Sequence, residues 1–530
     1  MQTRIFFVAI SYSMLVYVIM FFEYYSLNIP VWDMGHALQT LYNIHNCHGS
    51  LTFFISTILY QGDRFLLFFV PTNVNSLILL QALSVGLAII PLYYITKIKL
   101  KDEKLRILTV ILFMLYAPLW GNYFFPYHFQ SLFTLFFFSM YYFTLKDNKI
   151  LSIIFSILAS LVRFPFVILI VFYSAVELAF RKNVKINKYV LAVSAIILIA
   201  SYVMSNVCPT IIPGIEKEAK LDATPSYKIP LIDKILTIPT LLLPFSMVPL
   251  LSYFIINLVP YTVLIFITCS AGFVFPKLFI FQYSSLYTYA VFIAFIDAIS
   301  KFRIKEIISI AIILLTFFSF FMFSYVSPFY PYANYPAVFF TPNNARELCY
   351  VVNIIPRNAT ILVQDNMPEF YPRTYLPDNY PLVIGDTELV YSNYSFEHNN
   401  YLVVFCLGKF NTSICYVAVD TVNDFFWQSL NMTNLFYSHG YGIYIIYDYI
   451  IILKYNYSSP PIINTGYSFV IPGHVSVDLP LIPGIYELNA TACVCGRDTR
   501  FVIMKDFGFV HISTNSRTEV SLIDVFDLKA

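Results

Sequence analysis

The chain has 530 residues, of which 58% are hydrophobic, 19% aromatic and only 12% charged, and its mean hydropathy is +0.70. Soluble proteins carry about 25% charged residues. This chain therefore has more apolar side chain than one soluble core buries, and we predict a membrane protein. The formal net charge of +2 gives no field that would attract a polyanion, which excludes nucleic-acid binding.

Apolar segments follow one another from Met1 to about Ser327. A helix needs about 20 apolar residues to cross a ~30 Å hydrocarbon core, so these segments predict about eleven transmembrane helices. The expected spans are 5–25, 74–96, 107–123, 129–146, 149–162, 164–180, 189–206, 235–251, 253–275, 285–300 and 306–326. Asp63 and Arg64 interrupt the apolar stretch 51–70, which favours a re-entrant or surface-lying helix there.

Lysine and arginine in the short loops predict the orientation, because basic residues beside membrane helices stay in the cytoplasm. If the eleven spans are accepted, the basic groups at Arg4 and within 97–106, 146–149, 181–188 and 301–305 all fall on one side. We therefore predict a multi-pass cell-membrane protein with a cytoplasmic Met1 and a retained signal anchor. The loops 23–73, 123–129 and 207–234 and everything after Tyr325 would then be extracytoplasmic.

Six Asn-x-Ser/Thr sequons occur, and all of them lie in the C-terminal segment that is predicted to be outside. They are Asn358, Asn393, Asn411, Asn431, Asn456 and Asn489. A greater frequency of asparagine in this segment is the plain alternative. The clustering favours N-glycosylation, which would make the chain a surface glycoprotein of a eukaryotic or archaeal cell.

The sequence pattern changes inside this C-terminal segment. Up to residue 460 a helical pattern alternates with short apolar strands, which predicts an extracytoplasmic α/β domain at 331–460 after the membrane domain at 1–330. From 461 to 530 apolar and polar residues alternate between Gly and Pro turns, which predicts a small β sandwich. The stretch LPLIPGIYELNATA resembles strand edges of carbohydrate-binding sandwich modules, and a purely structural cap is the alternative.

A polar stretch, VWDMGHALQTLYNIHNCHGS at 31–50, directly follows the first apolar segment. An ordinary solvated loop is one interpretation. The other is a site, because helical spacing places apolar residues between Asp33, His36 and Gln39. Such a helix would lie along the membrane face and present one carboxylate to a cavity.

Five segments together resemble an uncharacterised family of prokaryotic polytopic membrane proteins, the domain of unknown function 2079. They are the stretch with Asp33, Gly35 and Gln39, NSLILLQALSVGLAIIPLYYITK at 75–97, YAPLWGNYFFPYHFQSLF at 116–133, FQYSSLYTYAVFIAFIDAI at 281–299 and IIPRNATILVQDNMPEFYPR at 354–373. The resemblance covers about 30–455. The membrane part of that family in turn resembles the C-type glycosyltransferase (GT-C) fold. The expected fold is therefore a polytopic α-helical, GT-C-like membrane protein with C-terminal extracytoplasmic domains.

The resemblance implies that a sugar moves from a polyprenyl-phosphate donor to an acceptor at the outer membrane face. It also implies that Asp33 is the catalytic carboxylate, which would hold an acceptor hydroxyl or ligate Mg²⁺ or Mn²⁺. Arg163, expected at the outer turn between two short helices, is the candidate for binding the phosphate, with a snorkelling arginine as the alternative. His128, His36 and Gln39 are further candidate substrate-binding residues, and we predict that Asp33, His128 and Arg163 approach one another.

Three positions depart from the pattern of that family. Where the family carries further acids, this chain has Leu38, Pro126 and either Phe164 or Pro165. A single remaining carboxylate makes a weak metal site, so a non-catalytic, membrane-anchored protein that binds cell-surface glycan or protein is the alternative function. The expected partners are membrane lipid and either a polyprenyl-phosphate-linked sugar or such a surface molecule.

Overall fold

A computed structural model describes many separate stretches of the chain. These are residues 2–25, 74–124, 130–180, 185–207, 229–268, 273–279, 282–302, 306–329, 361–363, 401–406, 441–448, 450–459, 462–471, 475–481, 484–489, 493–494, 497–498, 501–504, 508–514 and 518–524. The chain divides into two compact units. The helical unit comprises Met1–Phe22 and Thr40–Val338, and the sheet unit comprises Glu23–Gln39 and Phe339–Ala530.

The described part of the helical unit contains thirteen α-helices. They are α1 Gln2–Tyr25, α2 Val74–Gly86, α3 Ile89–Lys99, α4 Glu103–Met114, α5 Ala117–Phe124, α6 Ser131–Leu145, α7 Lys149–Leu161, α8 Phe164–Phe180, α9 Lys185–Val207, α10 Leu231–Leu242, α11 Val259–Ile267, α12 Ser285–Lys301 and α13 Glu306–Phe323. Short 3₁₀ turns at Leu243–Phe245, Val248–Leu251, Tyr253–Leu258, Lys277–Phe279 and Gln282–Ser284 connect the later helices.

Several of these helices have the length and the apolar surface of membrane helices. Among the described residues, Thr3–Phe22, Val74–Lys99 and Lys185–Val203 are long and apolar enough to cross a bilayer, and five further apolar helices are shorter. In α1, Ala9 and Val16 are buried, whereas Phe7 and Phe22 are more than half exposed. A helix that is apolar on its exposed face as well as on its buried face is typical of contact with lipid.

The core of the helical unit lies around α12, in which every residue from Ser285 to Ile299 is buried. The ring of Phe292 contacts three aromatic side chains from other segments, Phe113, Tyr116 and Phe245, at centroid distances of 5.0–5.5 Å. All three pairs are edge-to-face, a geometry that the aromatic quadrupole favours. The high aromatic content of the sequence therefore fills a packed interior as well as the exposed surface.

Four expected spans are interrupted rather than continuous. The spans 74–96 and 107–123 are each divided between two helices, at 87–88 and at 115–116. The spans 235–251 and 253–275 contain 3₁₀ turns and only short α-helices. Proline explains the last two, because Pro244, Pro249 and Pro260 occupy first-turn positions of new helical segments and cannot continue a helix that precedes them.

The sheet unit contains twelve described strands. They are β1 Ile361–Val363, β2 Tyr401–Cys406, β3 Tyr441–Asp448, β4 Ile450–Tyr455, β5 Ile463–Ile471, β6 Val475–Leu481, β7 Gly484–Asn489, β8 Cys493–Val494, β9 Arg497–Asp498, β10 Phe501–Met504, β11 Gly508–Thr514 and β12 Thr518–Asp524. One sheet has the order β1-β2-β4-β3-β5-β12-β7-β10 and the other β6-β11-β8-β9.

The eight-stranded sheet contains strands from both sides of residue 460. Strand β3 pairs with β5 in parallel, for example Ile445 with Ile463, and this pairing joins the two halves of the sheet. β1 and β2 also pair in parallel, and the remaining neighbours are antiparallel. The sequence NNARELCYVVNII at 343–355, which carries the predicted helical pattern, lies outside the described residues, so the division into an α/β domain and a sandwich stays a prediction.

Candidate functional site

Arg163 lies in the short connection between α7 and α8, as the sequence predicted. Its side chain is half-buried. Its backbone carbonyl accepts a hydrogen bond from the N–H of Phe166, at 2.9 Å, and this bond belongs to the first turn of α8. The start of α8 therefore holds Arg163 at one end of the helical unit, which we call the Arg163 end.

The other candidate catalytic and binding residues, Asp33, His36, Gln39 and His128, lie outside the described residues. Their approach to Arg163 stays a prediction. Of the sequons, Asn456 is exposed in the turn after β4 with a left-handed φ of 55°, and Asn489 ends strand β7. Asn358, Asn393, Asn411 and Asn431 lie outside the described residues, and glycosylation stays a prediction for all six.

Hydrogen bonds between buried amide and hydroxyl groups connect helices α2, α5 and α12. Gln81 Nε2 donates to the backbone carbonyl of Asn122 at 3.1 Å, and Asn122 Nδ2 donates to Ser285 Oγ at 2.7 Å. None of these three side chains has any exposed surface. The polar contacts thus cross the packed interior of the helical unit.

Two serines extend this group of contacts to α6. Ser84 Oγ donates to the carbonyl of Gln81 at 2.7 Å, and it also contacts Ser131 Oγ. Both serines are buried. We call Gln81, Ser84, Asn122, Ser131 and Ser285 the amide–hydroxyl layer, because all of its side chains are neutral and each can donate or accept a hydrogen bond.

The amide–hydroxyl layer lies at the Arg163 end. The ring of Phe133, two residues after Ser131, stacks on the ring of Phe166 at a centroid distance of 4.4 Å. Phe166 is in the first turn of α8, three residues after Arg163. The starts of α6 and α8 are therefore neighbours, so the layer and Arg163 share one end of the helical unit.

Several polar atoms of this layer, or of residues close to it in the sequence, have no hydrogen-bond partner among the described residues. They are Asn122 Oδ1, Thr134 Oγ1, Ser284 Oγ and Tyr287 Oη, and all four side chains are buried. Leaving a polar group buried and unpaired costs about 1–3 kcal/mol. In folded proteins such groups are usually paired with another protein group, an ordered water molecule or a ligand.

A second polar cluster lies at the opposite end of the helical unit. The carboxylate of Asp297 in α12 is 2% exposed, and its Oδ2 accepts from Ser252 Oγ and from Lys301 Nζ, each at 2.6 Å. Tyr253, which follows Ser252 in the chain, donates a hydrogen bond from its hydroxyl to Glu177 Oε1 in α8, also at 2.6 Å. We call these five residues the carboxylate cluster.

The two groups of polar residues are well separated along the helices. Glu177 follows Phe164 in α8 by about 13 residues, which corresponds to roughly 20 Å along a helix. Asp297 follows Ser285 in α12 by about 12 residues, or roughly 18 Å. The carboxylate cluster therefore does not belong to the Arg163 end.

The described residues of the Arg163 end do not fit a magnesium or manganese site. Among them, no group of three or more His, Cys, Asp and Glu side chains is placed to hold a metal ion. Mg²⁺ is usually bound through carboxylates, whereas the layer contributes only amides and hydroxyls. A metal bound through Asp33 stays a prediction.

Gln81, Asn122 and Ser285 are not among the site residues that the sequence predicts, although all three lie in segments that carry the family resemblance. An available signal was the occurrence of an amide side chain inside an otherwise apolar helix. Polar side chains are expensive in hydrocarbon and therefore usually face the interior of a membrane protein.

The apolar exposed helices and the buried polar contacts define a helical membrane protein. Residues 35–370, more than half of the chain, match the family described as "Predicted membrane protein (DUF2079)", and the chain belongs to that family. No curated protein and no solved structure matches the chain significantly.

Proposed function

We propose that the protein is a membrane glycosyltransferase, which moves a sugar from a polyprenyl-phosphate donor to an acceptor at the outer membrane face. The observation that supports this function best is the buried amide–hydroxyl layer at the Arg163 end. A guanidinium and a group of neutral hydrogen-bonding side chains together suit the two parts of such a donor, its phosphate and its sugar.

In this proposal Arg163 binds the phosphate of the donor. Guanidinium groups bind phosphate through paired, charge-assisted hydrogen bonds, which are stronger than neutral ones. The polyprenyl phosphate leaves with more negative charge than it carried in the donor. Arg163 therefore stabilises the leaving group during transfer as well as the bound donor.

Asp33 acts on the acceptor in the same proposal, following the GT-C resemblance. The acceptor hydroxyl attacks the anomeric carbon, its proton passes to the Asp33 carboxylate, and the bond between that carbon and the phosphate oxygen breaks. The electron pair of that bond leaves with the polyprenyl phosphate. This role needs only a general base, which typically contributes 10²–10⁴-fold to a rate, and no step is assigned to a metal ion.

The test is to incubate the full chain in lipid nanodiscs with a panel of polyprenyl-phosphate hexoses and to measure released polyprenyl phosphate. We expect Asp33→Asn to lower turnover about 10²-fold or more with donor binding retained. Arg163→Ala should weaken donor binding about 10-fold or more, because a hydrogen bond to a charged group contributes roughly 1.5–3 kcal/mol.

Arg106→Ala is the matched control. Arg106 is also a half-buried arginine at a helix end, but it lies in the first turn of α4 and donates to the carbonyls of Leu100 and Lys101, which precede that helix. Donor binding should be unchanged in this variant. Binding of the donors without turnover would instead support the non-catalytic alternative, and absence of donor binding by the wild-type chain would contradict the transferase.

A further inference from the structure

We propose that Asn122 and Ser284 recognise a hydroxyl group of the sugar on the lipid-linked donor. This inference rests on the proposed function. It identifies the residues by which the protein distinguishes a sugar-bearing lipid from the bare lipid phosphate. Neither residue is charged, and both are completely buried.

The side chain of Asn122 is held in place at one end and available at the other. Its Nδ2 donates to Ser285 Oγ, and its own backbone carbonyl accepts from Gln81 Nε2. Its Oδ1 has no partner among the described residues. The Ser285 hydroxyl can also donate a hydrogen bond. If the side-chain amide of Asn122 is flipped by 180°, its oxygen accepts from Ser285 and its NH₂ group is the one without a partner. In either orientation one polar end of Asn122 is available to a ligand.

Ser284 lies beside Asn122. It precedes Ser285 and ends the 3₁₀ turn Gln282–Ser284, which packs against α5, the helix that contains Asn122. Its backbone carbonyl accepts from Thr288 Oγ1 at 2.7 Å, so its main chain is held at the start of α12. Its Oγ has no partner within the described part of the chain. A held backbone with an available hydroxyl is the arrangement expected of a binding group.

The chemistry of the two groups favours a sugar hydroxyl as their ligand. An amide oxygen accepts a hydrogen bond, and a serine hydroxyl both donates and accepts, so a sugar hydroxyl has the hydrogen-bonding capacity to pair with either side chain. An apolar ligand would leave both unpaired, and a charged ligand would gain only neutral partners from the layer. A buried water molecule also has suitable hydrogen bonds, and the experiment distinguishes it from a sugar.

The experiment measures the dissociation constants of polyprenyl phosphate and of polyprenyl-phosphate hexose for the full chain in nanodiscs. The wild-type protein should bind the sugar-bearing lipid more tightly. Ser284→Ala should weaken binding of that lipid about five-fold or more and leave binding of the bare lipid phosphate unchanged. Arg163→Ala should weaken the binding of both lipids.

Ser285→Ala is the matched control, because it removes the neighbouring hydroxyl that already has a partner. It should lower the thermal midpoint of the protein, since Asn122 Nδ2 loses its acceptor. Ser284→Ala removes an unpartnered hydroxyl and should leave the midpoint unchanged or raise it. Both thermal midpoints are measured without ligand. A midpoint of Ser284→Ala below that of the wild-type protein would overturn the proposal.

The remaining outcomes separate this inference from the proposed function. In one outcome the wild-type chain turns over the donor, and Ser284→Ala changes the dissociation constants of both lipids equally or changes neither. This result would support the transferase and overturn the sugar subsite in favour of a structural water. Selective loss of sugar-lipid binding in Ser284→Ala, without turnover of any donor by the wild type, would support the subsite and overturn the transferase. Equal wild-type affinity for the two lipids would overturn the subsite.

Discussion

At the scale of single residues, Gly86 shows how closely two helices of this protein approach. A Cβ atom added at Gly86 would lie 2.6 Å from the backbone carbonyl oxygen of Ala9 in α1 and would also contact Ser13 Oγ. Ser13 Oγ donates to that same carbonyl at 2.9 Å. Small residues allow such close backbone contact between membrane helices, so Gly86 is required by the contact between α1 and α2.

We predict that Gly86→Ala destabilises the protein by about 1–3 kcal/mol, because overpacking forces one of the two helices to shift. The thermal midpoint of the detergent-solubilised full chain measures the effect. Adding Ser13→Gly should restore part of the loss, since it removes the contact with Oγ but not that with the Ala9 carbonyl. Wild-type stability of the Gly86→Ala single variant would show that the helices are not in this contact.

At the scale of elements, the interrupted segment between α10 and α11 is attached to two regular helices. Its neighbouring residues Ser252 and Tyr253 donate to buried carboxylates in different helices, Asp297 in α12 and Glu177 in α8. Lys301 Nζ pairs with Asp297 and lies 5.1 Å from the ring centroid of Tyr253. A carboxylate buried in a membrane protein needs such donors, so the cluster holds the 3₁₀ segment between α8 and α12.

We predict that Tyr253→Phe lowers the free energy of unfolding by about 1.5–3 kcal/mol, the contribution of a hydrogen bond to a charged group. The substitution removes one hydroxyl and keeps the ring beside Lys301. The thermal midpoint measures the loss. Tyr189→Phe is the control, because the ring of Tyr189 is 46% exposed and its contact with Lys149 uses the ring face alone. Equal midpoints for the two variants would contradict a role of the carboxylate cluster in stability.

At the scale of the whole molecule, the basic helix ends of the helical unit meet at one end of it. Lys149 Nζ lies 3.4 Å from the ring centroid of Tyr189, which joins the start of α7 to the start of α9. The ring of Phe180 stacks on Tyr253 at 5.3 Å, which joins the end of α8 to Lys301. These contacts place the basic residues Lys149 and Lys301 at one end of the helical unit, and the cytoplasmic location of that end stays a prediction.

The topology prediction follows from that grouping and from the sequons: a cytoplasmic Met1 and an extracytoplasmic Ala530. Protease added to intact cells should remove a tag at Ala530 and spare one in the loop 97–106. Permeabilised cells serve as the control, because both tags should then be lost. Protection of the Ala530 tag with loss of the loop tag in intact cells would reverse the orientation.

The sequence by itself was enough to place this protein in the membrane class, to locate most of the apolar helices among the described residues and to put Arg163 in the turn between α7 and α8. These properties are local, because the transfer of apolar side chains into hydrocarbon adds up along one contiguous stretch of chain. The sequence did not reveal the interruptions of four expected spans. Proline marks two of them, but whether a helix bends, breaks or restarts at a proline depends on the neighbours that accept its free backbone groups.

Only the tertiary structure decided which polar residues are buried together. Gln81 and Asn122 are 41 positions apart in the chain, and Asn122 and Ser285 are 163 apart, yet hydrogen bonds join all three. No periodicity within one helix indicates which other helix it packs against. A buried amide is stabilised by its partners, and those partners come from distant segments that only the packing of α2, α5 and α12 brings within hydrogen-bond distance.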